Sequence, residues 1–211
     1  MPCQVFAGAY GGARVTLVQP GRDTGRTGVN NVGTAPAALA AFLACHALKP
    51  DLLVNAGTAG GFARQGGAIG DAYVVSAFAN HDRRIPIPGY TEYGIGRRDG
   101  AAAPNLLAAC AGWKSGVCSS GNALDCSAED AALLEANDAC VKDMEGAAIA
   151  WACGAAGGPP VLALKVVTDI VDGDKPTEEE FLANLGTAAG ALQAAVPKLL
   201  DFVIGKTLAE L

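Results

Sequence analysis

Apolar and polar positions along this chain switch between two periods. Short apolar or β-branched runs at 15–19, 51–55, 72–79, 115–119 and 161–167 predict buried strands. Longer Ala-rich or amphipathic stretches at 34–48, 127–136, 145–156 and 177–203 predict helices between and after them. Thr34 reads as the N-cap of the first helix, with Pro36 tolerated in its first turn and Lys49-Pro50 as its stop. Ser127-x-x-Asp130 reads as a capping start, and Pro197 as an interruption or kink of the last helix. Gly57-Thr58-Ala59-Gly60-Gly61 predicts a tight turn after the 51–55 strand, and 81–98 a loop. Alternating strands and helices predict a single α/β domain around a largely buried, mostly parallel sheet. Residues 1–10 read as a second or third element of such a domain rather than its usual opening strand.

Composition narrows the function classes. The chain has 211 residues, 51% of them hydrophobic, with a mean hydropathy of +0.28, which excludes a disordered chain. A formal net charge of −6 argues against nucleic acid, because phosphate contacts need clustered Lys and Arg. The one compact basic spot, His81-Asp82-Arg83-Arg84, is too short for such a footprint. Seven Cys without a C-x-x-C pair predict neither a disulfide framework nor a structural zinc, and most read as small buried packing residues. With no secretory signal and no membrane-spanning apolar run, the expected compartment is the cytoplasm.

Two carboxylates stand out. Asp169 follows an apolar strand, and Glu145 stands where a helix begins. In open α/β sheets small ligands bind beyond the carboxyl ends of strands, so both are expected to face one cleft. A carboxyl at the edge of an apolar pocket resists ionisation and can donate a proton; alternatively Asp169 is a turn residue, as Asp172 and Asp174 are read to be. Glu145 is either a hydrogen-bond acceptor for a sugar diol or a charge that complements the helix dipole. His81 and His46 without a Cys cluster make a metal site improbable, and no Ser fits a nucleophile elbow.

Several ordered segments carry a family resemblance. They are Lys49-Pro50-Asp51 through Asn55-Ala56-Gly57-Thr58-Ala59-Gly60-Gly61-Phe62, His81-Asp82-Arg83-Arg84-Ile85-Pro86, Ser120-Gly121-Asn122, Asn137-Asp138-Ala139 through Asp143-Met144-Glu145-Gly146, and Lys165 through Thr168-Asp169-Ile170-Val171-Asp172-Gly173-Asp174-Lys175-Pro176. The chain resembles the nucleoside phosphorylase superfamily over nearly its whole length, and within it the plant-type 5′-methylthioadenosine nucleosidases. The resemblance implies a three-layer α/β sandwich around a mixed, mostly parallel sheet, here lacking the family's first strand and helix. It also implies hydrolysis of the bond between adenine and a 5-thioribose, in methionine salvage, with S-adenosylhomocysteine a possible second substrate and no cofactor.

Site roles follow from the same resemblance. Asp169 is implied as the acid that protonates adenine on its imidazole side, with Lys165 and Thr168 supporting it. Glu145 would hold the ribose hydroxyls and Met144 pack on the sugar, beside a wall formed by Lys142 and Asp143. Thr58, Ala59 and Gly60 would line the sugar and nucleophile side, and Val32 the 5′-thioalkyl end. Leu124 stands where the family often stacks an aromatic residue on adenine. Pro88 and Tyr90 belong to a loop that closes the neighbouring subunit's pocket in related enzymes, which implies a homodimer. Phosphorylases of the superfamily hold phosphate with an Arg where this chain has Asn55, which favours water as nucleophile; a phosphorylase is the alternative. The family's water-activating Glu, after the first strand, has no counterpart here, so a nucleoside-binding relative without catalysis is a second alternative.

Overall fold

A computed structural model describes residues 3–211; Met1 and Pro2 lie outside the described residues. The chain opens with a hairpin in which β1 (Gln4–Tyr10) pairs antiparallel with β2 (Ala13–Gln19). Gly11 and Gly12 both take positive φ at its tip, a conformation that glycine reaches without steric cost. The hairpin is a sheet of its own, and Tyr10 Oη donates to Asp201 in the last helix at 2.8 Å.

The remaining elements are α1 (Thr34–Leu48), β3 (Leu53–Gly61), β4 (Ala72–Asn80), α2 (Thr91–Ile95), β5 (Arg98–Asp99), α3 (Pro104–Ala109), β6 (Lys114–Ser120), α4 (Ala128–Ala136), β7 (Ala139–Asp143), α5 (Gly146–Ala155), β8 (Val161–Ile170) and α6 (Thr177–Val203). The main sheet runs β5-β4-β6-β7-β3-β8, and β8 pairs back onto β4. Its longest registers are parallel, β3 with β8 and β4 with β6, while β7 meets β3 and β8 meets β4 antiparallel. The second pairing of β8 curls the sheet into a ring.

Both faces of this sheet are covered, and the period-two alternation of strand side chains shows how. Tyr73 and Val75 of β4, with Ala163 and Val167 of β8, pack under Ala41 and Cys45 of α1 and Ala147, Ala150 and Cys153 of α5. Val74, Leu162, Leu164 and Val166 face the other way, against Leu106 of α3 and Ala188, Ala195 and Leu199 of α6. Each fully buried Val or Leu contributes roughly 1.5–3 kcal/mol. The architecture is the helix–sheet–helix α/β domain expected. Among the described residues, no helix is long and apolar enough to cross a membrane.

Several local expectations are corrected. Gly57–Gly61 is not a turn: β3 runs through it, because Gly60 and Gly61 admit close neighbours that a Cβ would displace. Thr34 is not the N-cap of α1; Gly33 is, at φ 96°, and no side chain of its own caps the helix. The 81–98 stretch contains α2 and leads into β5, and β7 and α3 are additional elements. Helix α6 continues through Pro197 without interruption. Only Cys45, Cys118 and Cys153 are buried, so most of the cysteines are not core residues. The Lys49 stop and the Ser127 capping box form as read.

Candidate active site

The carboxyl ends of five strands meet on one rim. Asn80 of β4 is in register with Ser120 of β6, and Ser120 with Asp143 of β7. Lys142 of β7 is in register with Gly60 of β3, and Gly60 with Asp169 of β8. A register shift between Ala59 and Gly60 accompanies the last pairing. Such a shift re-aims the side chains that follow it.

Asp169 is 3% exposed. Its carboxyl lies over Gly60, where an added Cβ would stand 2.8 Å from Oδ2 and 2.6 Å from Val171 Cγ2. Burial raises its pKa, and this outweighs the opposing effects of the Thr168 hydroxyl, which donates to Oδ1 at 2.7 Å, and of the Lys142 ammonium. A carboxyl so placed keeps its proton more readily than an exposed one and can deliver it to a buried base.

Helix α5 is started by a buried charge cluster. Asp143 Oδ2 accepts from the Gly146 N–H at 2.8 Å and pairs with Lys165 Nζ at 2.8 Å, both side chains almost fully buried. Ser120 Oγ donates to Asp143 Oδ1 at 2.5 Å and accepts from Ala147 N at 2.8 Å. Burial pushes the Asp143 pKa up, but the Lys165 ammonium and these donors outweigh it and leave it lowered. Lys165 is the mirror case: burial pulls its pKa down, and the Asp143 carboxylate leaves it raised. Asp143 is thereby held as the anion that a helix N-terminus favours.

Glu145 is the N-cap residue of α5, and Gly33 N donates to its Oε1 at 2.9 Å. Asn122 Oδ1 accepts from both the N–H and the hydroxyl of Thr34 at 2.9 Å, and Asn122 in turn donates to Asp82 Oδ2. The first N–H groups of α1 are thus satisfied by two side chains more than 80 residues downstream rather than by a local cap. Lys142 is 5% exposed, and its Nζ donates to the Ala123 and Leu124 carbonyls, each at 2.8 Å.

Most of the sequence-derived site therefore assembles. Asp169, Thr168, Lys142, Asp143, Lys165, Glu145 and 58–60 share the rim, Met144 is half-buried between two of them, and Val32 precedes the Gly33 that binds Glu145. Leu124 reaches the rim through its carbonyl, and the residue is 41% exposed. Pro88 and Tyr90 stand apart on the surface, where Tyr90 packs edge-on against Tyr93. Asp172 is a turn residue that accepts from the Ala63 and Arg64 N–H groups. Sequence alone assigns no role to Ser120, Asn122 or Gly33, although Ser120-Gly121-Asn122 is one of the motifs that carry the resemblance. Two surface cavities of about 420 and 520 Å³ lie elsewhere, by the hairpin and beside Arg97–Asp99, and contain none of these carboxylates.

A sheet rim with one buried acid and one helix-start carboxylate defines an α/β protein of the small-molecule-binding class. Comparison with known proteins specifies it further. The phosphorylase superfamily model matches residues 2–201. The chain is 46% identical to the 5′-methylthioadenosine nucleosidase of Arabidopsis thaliana over 211 residues, all of this chain and 78% of that protein. It is also 46% identical to the Arabidopsis 5′-methylthioadenosine/S-adenosylhomocysteine nucleosidase, over 98% of this chain and 80% of that protein. The solved apo structure of the Arabidopsis thaliana 5′-methylthioadenosine nucleosidase superposes with a TM-score of 0.95 at 47% identity, covering all of this chain and 85% of that one. The chain belongs to the phosphorylase superfamily, in its plant-type 5′-methylthioadenosine nucleosidase branch.

Proposed function

We propose that this chain hydrolyses the N-ribosidic bond of 5′-methylthioadenosine, releasing adenine and a 5-thioribose. The observation that carries the reading is Asp169: a buried carboxyl, inclined to stay protonated, at the strand-end rim where open α/β sheets take up small ligands. Protonation of the adenine ring lets the base leave with the bonding electron pair, and a ribosyl cation-like centre then takes up water, whose surplus proton passes to solvent. Acid catalysis of this kind is worth about 10²–10⁴-fold.

Glu145 holds the ribose hydroxyls through the carboxylate oxygen that Gly33 leaves free, and Asp143 with Lys165 fixes the helix that carries it. Thr58, Ala59 and Gly60 line the sugar side, Met144 packs on the ribose and Val32 borders the 5′-thioalkyl group. Leu124 and Lys142 form the base side. Asn55 supports hydrolysis over phosphorolysis, because its neutral amide supplies no charge for phosphate where the family's phosphorylases use Arg. Pro88 and Tyr90, exposed in the single chain, fit a homodimer in which each subunit closes its neighbour's pocket. The setting is methionine salvage in the cytoplasm.

The test is adenine release from methylthioadenosine with and without phosphate, followed by absorbance. Release without phosphate is the expected result. Release only with phosphate would make the chain a phosphorylase, and calorimetric adenine binding with no release would make it a binding protein.

A further inference from the structure

Lys142 does two things at once that the reaction needs and that substrate contact alone does not explain. Its ammonium has three N–H donors, and two are spent on the Ala123 and Leu124 carbonyls of the loop over the base side. It stands in register with Gly60, which stands in register with Asp169, so the two charged side chains flank one residue of the central strand. That residue has no side chain. The space a Cβ would fill at Gly60 is taken by Val171 Cγ2 and by the Asp169 carboxyl, which leans across β3 from the β8 side. A side chain at 60 would displace that carboxyl.

We propose that Lys142 is a positioning residue for the acid: across the gap at Gly60, its ammonium stabilises the carboxylate that Asp169 becomes on giving up its proton, while its two carbonyl contacts fix the base-side loop. The proposal rests on the reading of Asp169 as the general acid. When the proton passes from Asp169 to the ring nitrogen, the ribosidic bond breaks toward the base and a negative charge is left in a site that burial makes hostile to it. A cation already buried nearby offsets that charge without water. The same ammonium works against burial in the resting state, so the acid is held between two opposing influences. The other charged groups are fixed as well. Glu180 of α6 faces Asp169 and opposes its ionisation. Burial lowers the Lys142 pKa, and Cys126, Asp169, Asp125 and Asp130 oppose that by favouring its charge. Burial and Lys142 together hold His81 toward its neutral form.

The experiment follows Asp169 directly by ¹³C-carboxyl NMR in ligand-free protein, with the resonance assigned by its loss in D169N. The titration is compared in the wild type, K142M and K142R, beside kcat and KM for adenine release as a function of pH. In K142M the Asp169 midpoint moves upward, kcat falls by about tenfold, a fraction of the 10²–10⁴ available from acid catalysis, and the alkaline limb of kcat moves to higher pH. K142R, which keeps the charge, stays close to wild type. K142Q, which keeps a donor for the two carbonyls, replaces K142M if the latter folds poorly. A raised KM with an unmoved midpoint and limb would overturn the proposal and leave Lys142 a loop anchor; so would an equal displacement in K142R. A displaced midpoint in a protein that releases no adenine would refute the hydrolase reading while supporting the coupling of the two side chains.

Discussion

Lys165→Met tests whether the start of α5 depends on a buried ion pair. The substitution keeps the unbranched side chain to within one atom of its length and removes its charge. Lys165 Nζ and Asp143 Oδ2 are 2.8 Å apart, with side chains 2% and 1% exposed, so water cannot replace the lost partner. Ser120 and the Gly146 N–H still hold Asp143, but neither carries a full charge. Breaking a buried pair from one side costs about 3–5 kcal/mol, because the remaining ion stays uncompensated. For a chain of this length, about 2–4 °C per kcal/mol places the loss of Tm at roughly 6–20 °C. The pH dependence has a defined sign. The Asp143 pKa is lowered by folding, so its contribution is present above the ordinary carboxylate range and is lost as pH falls through the depressed folded value. K165M weakens that depression, so the variant loses stability at a higher pH on acidification than the wild type does. Thermal melts at several pH values measure both effects. The double variant D143N/K165M recovers part of the loss, since no ion is then stranded. A K165M melting curve that overlays the wild type at neutral pH would refute the reasoning.

Further expectations concern the acid, the strand beneath it and a helix start. Asp169→Asn lowers kcat by about 10²–10⁴-fold. Because burial raises the Asp169 pKa, its ionisation costs stability as pH rises through the folded value, so D169N melts at or above the wild-type temperature at neutral pH, as calorimetry will show. Gly60→Ala puts a methyl group 2.6–2.8 Å from Val171 and the Asp169 carboxyl, and is expected to cost about 1–3 kcal/mol and to cut activity more than stability, read by urea melts beside turnover. Ser127→Ala removes the acceptor for Asp130 N at 3.1 Å and should cost about 1 kcal/mol by denaturant titration with kcat unchanged, since α4 only borders the rim.

What the sequence reveals divides along physical lines. Helix α1, strands β4, β6 and β8 and helix α6 announce themselves because an apolar period belongs to the segment itself. Asp169 and Glu145 were legible because each stands at the junction of a patterned element and a break. Strand β7 was not, since its short Ala-Cys-Val-Lys-Asp run ends in two charges that look solvated in one dimension. They are buried only because Asp143 meets Lys165 and Lys142 meets two carbonyls, and those partners are 18 to 22 residues distant. The glycines of 57–61 misled for a related reason. Glycine reads locally as a turn, whereas here it is small so that neighbouring strands can lay Val167, Val171 and Asp169 across it. Sequence likewise points to Thr34 as the cap of α1, because a remote Asn122 or Glu145 leaves no mark beside it.

The bond from Gly33 to Glu145 makes two helices share one fastening. Substitutions or length changes in the 20–33 segment are therefore transmitted to the Glu145 carboxylate and the start of α5 across more than a hundred residues of sequence. A side chain at Gly33 itself would be strained by the positive φ and would press on Asn122 Oδ1, 3.0 Å from an added Cβ.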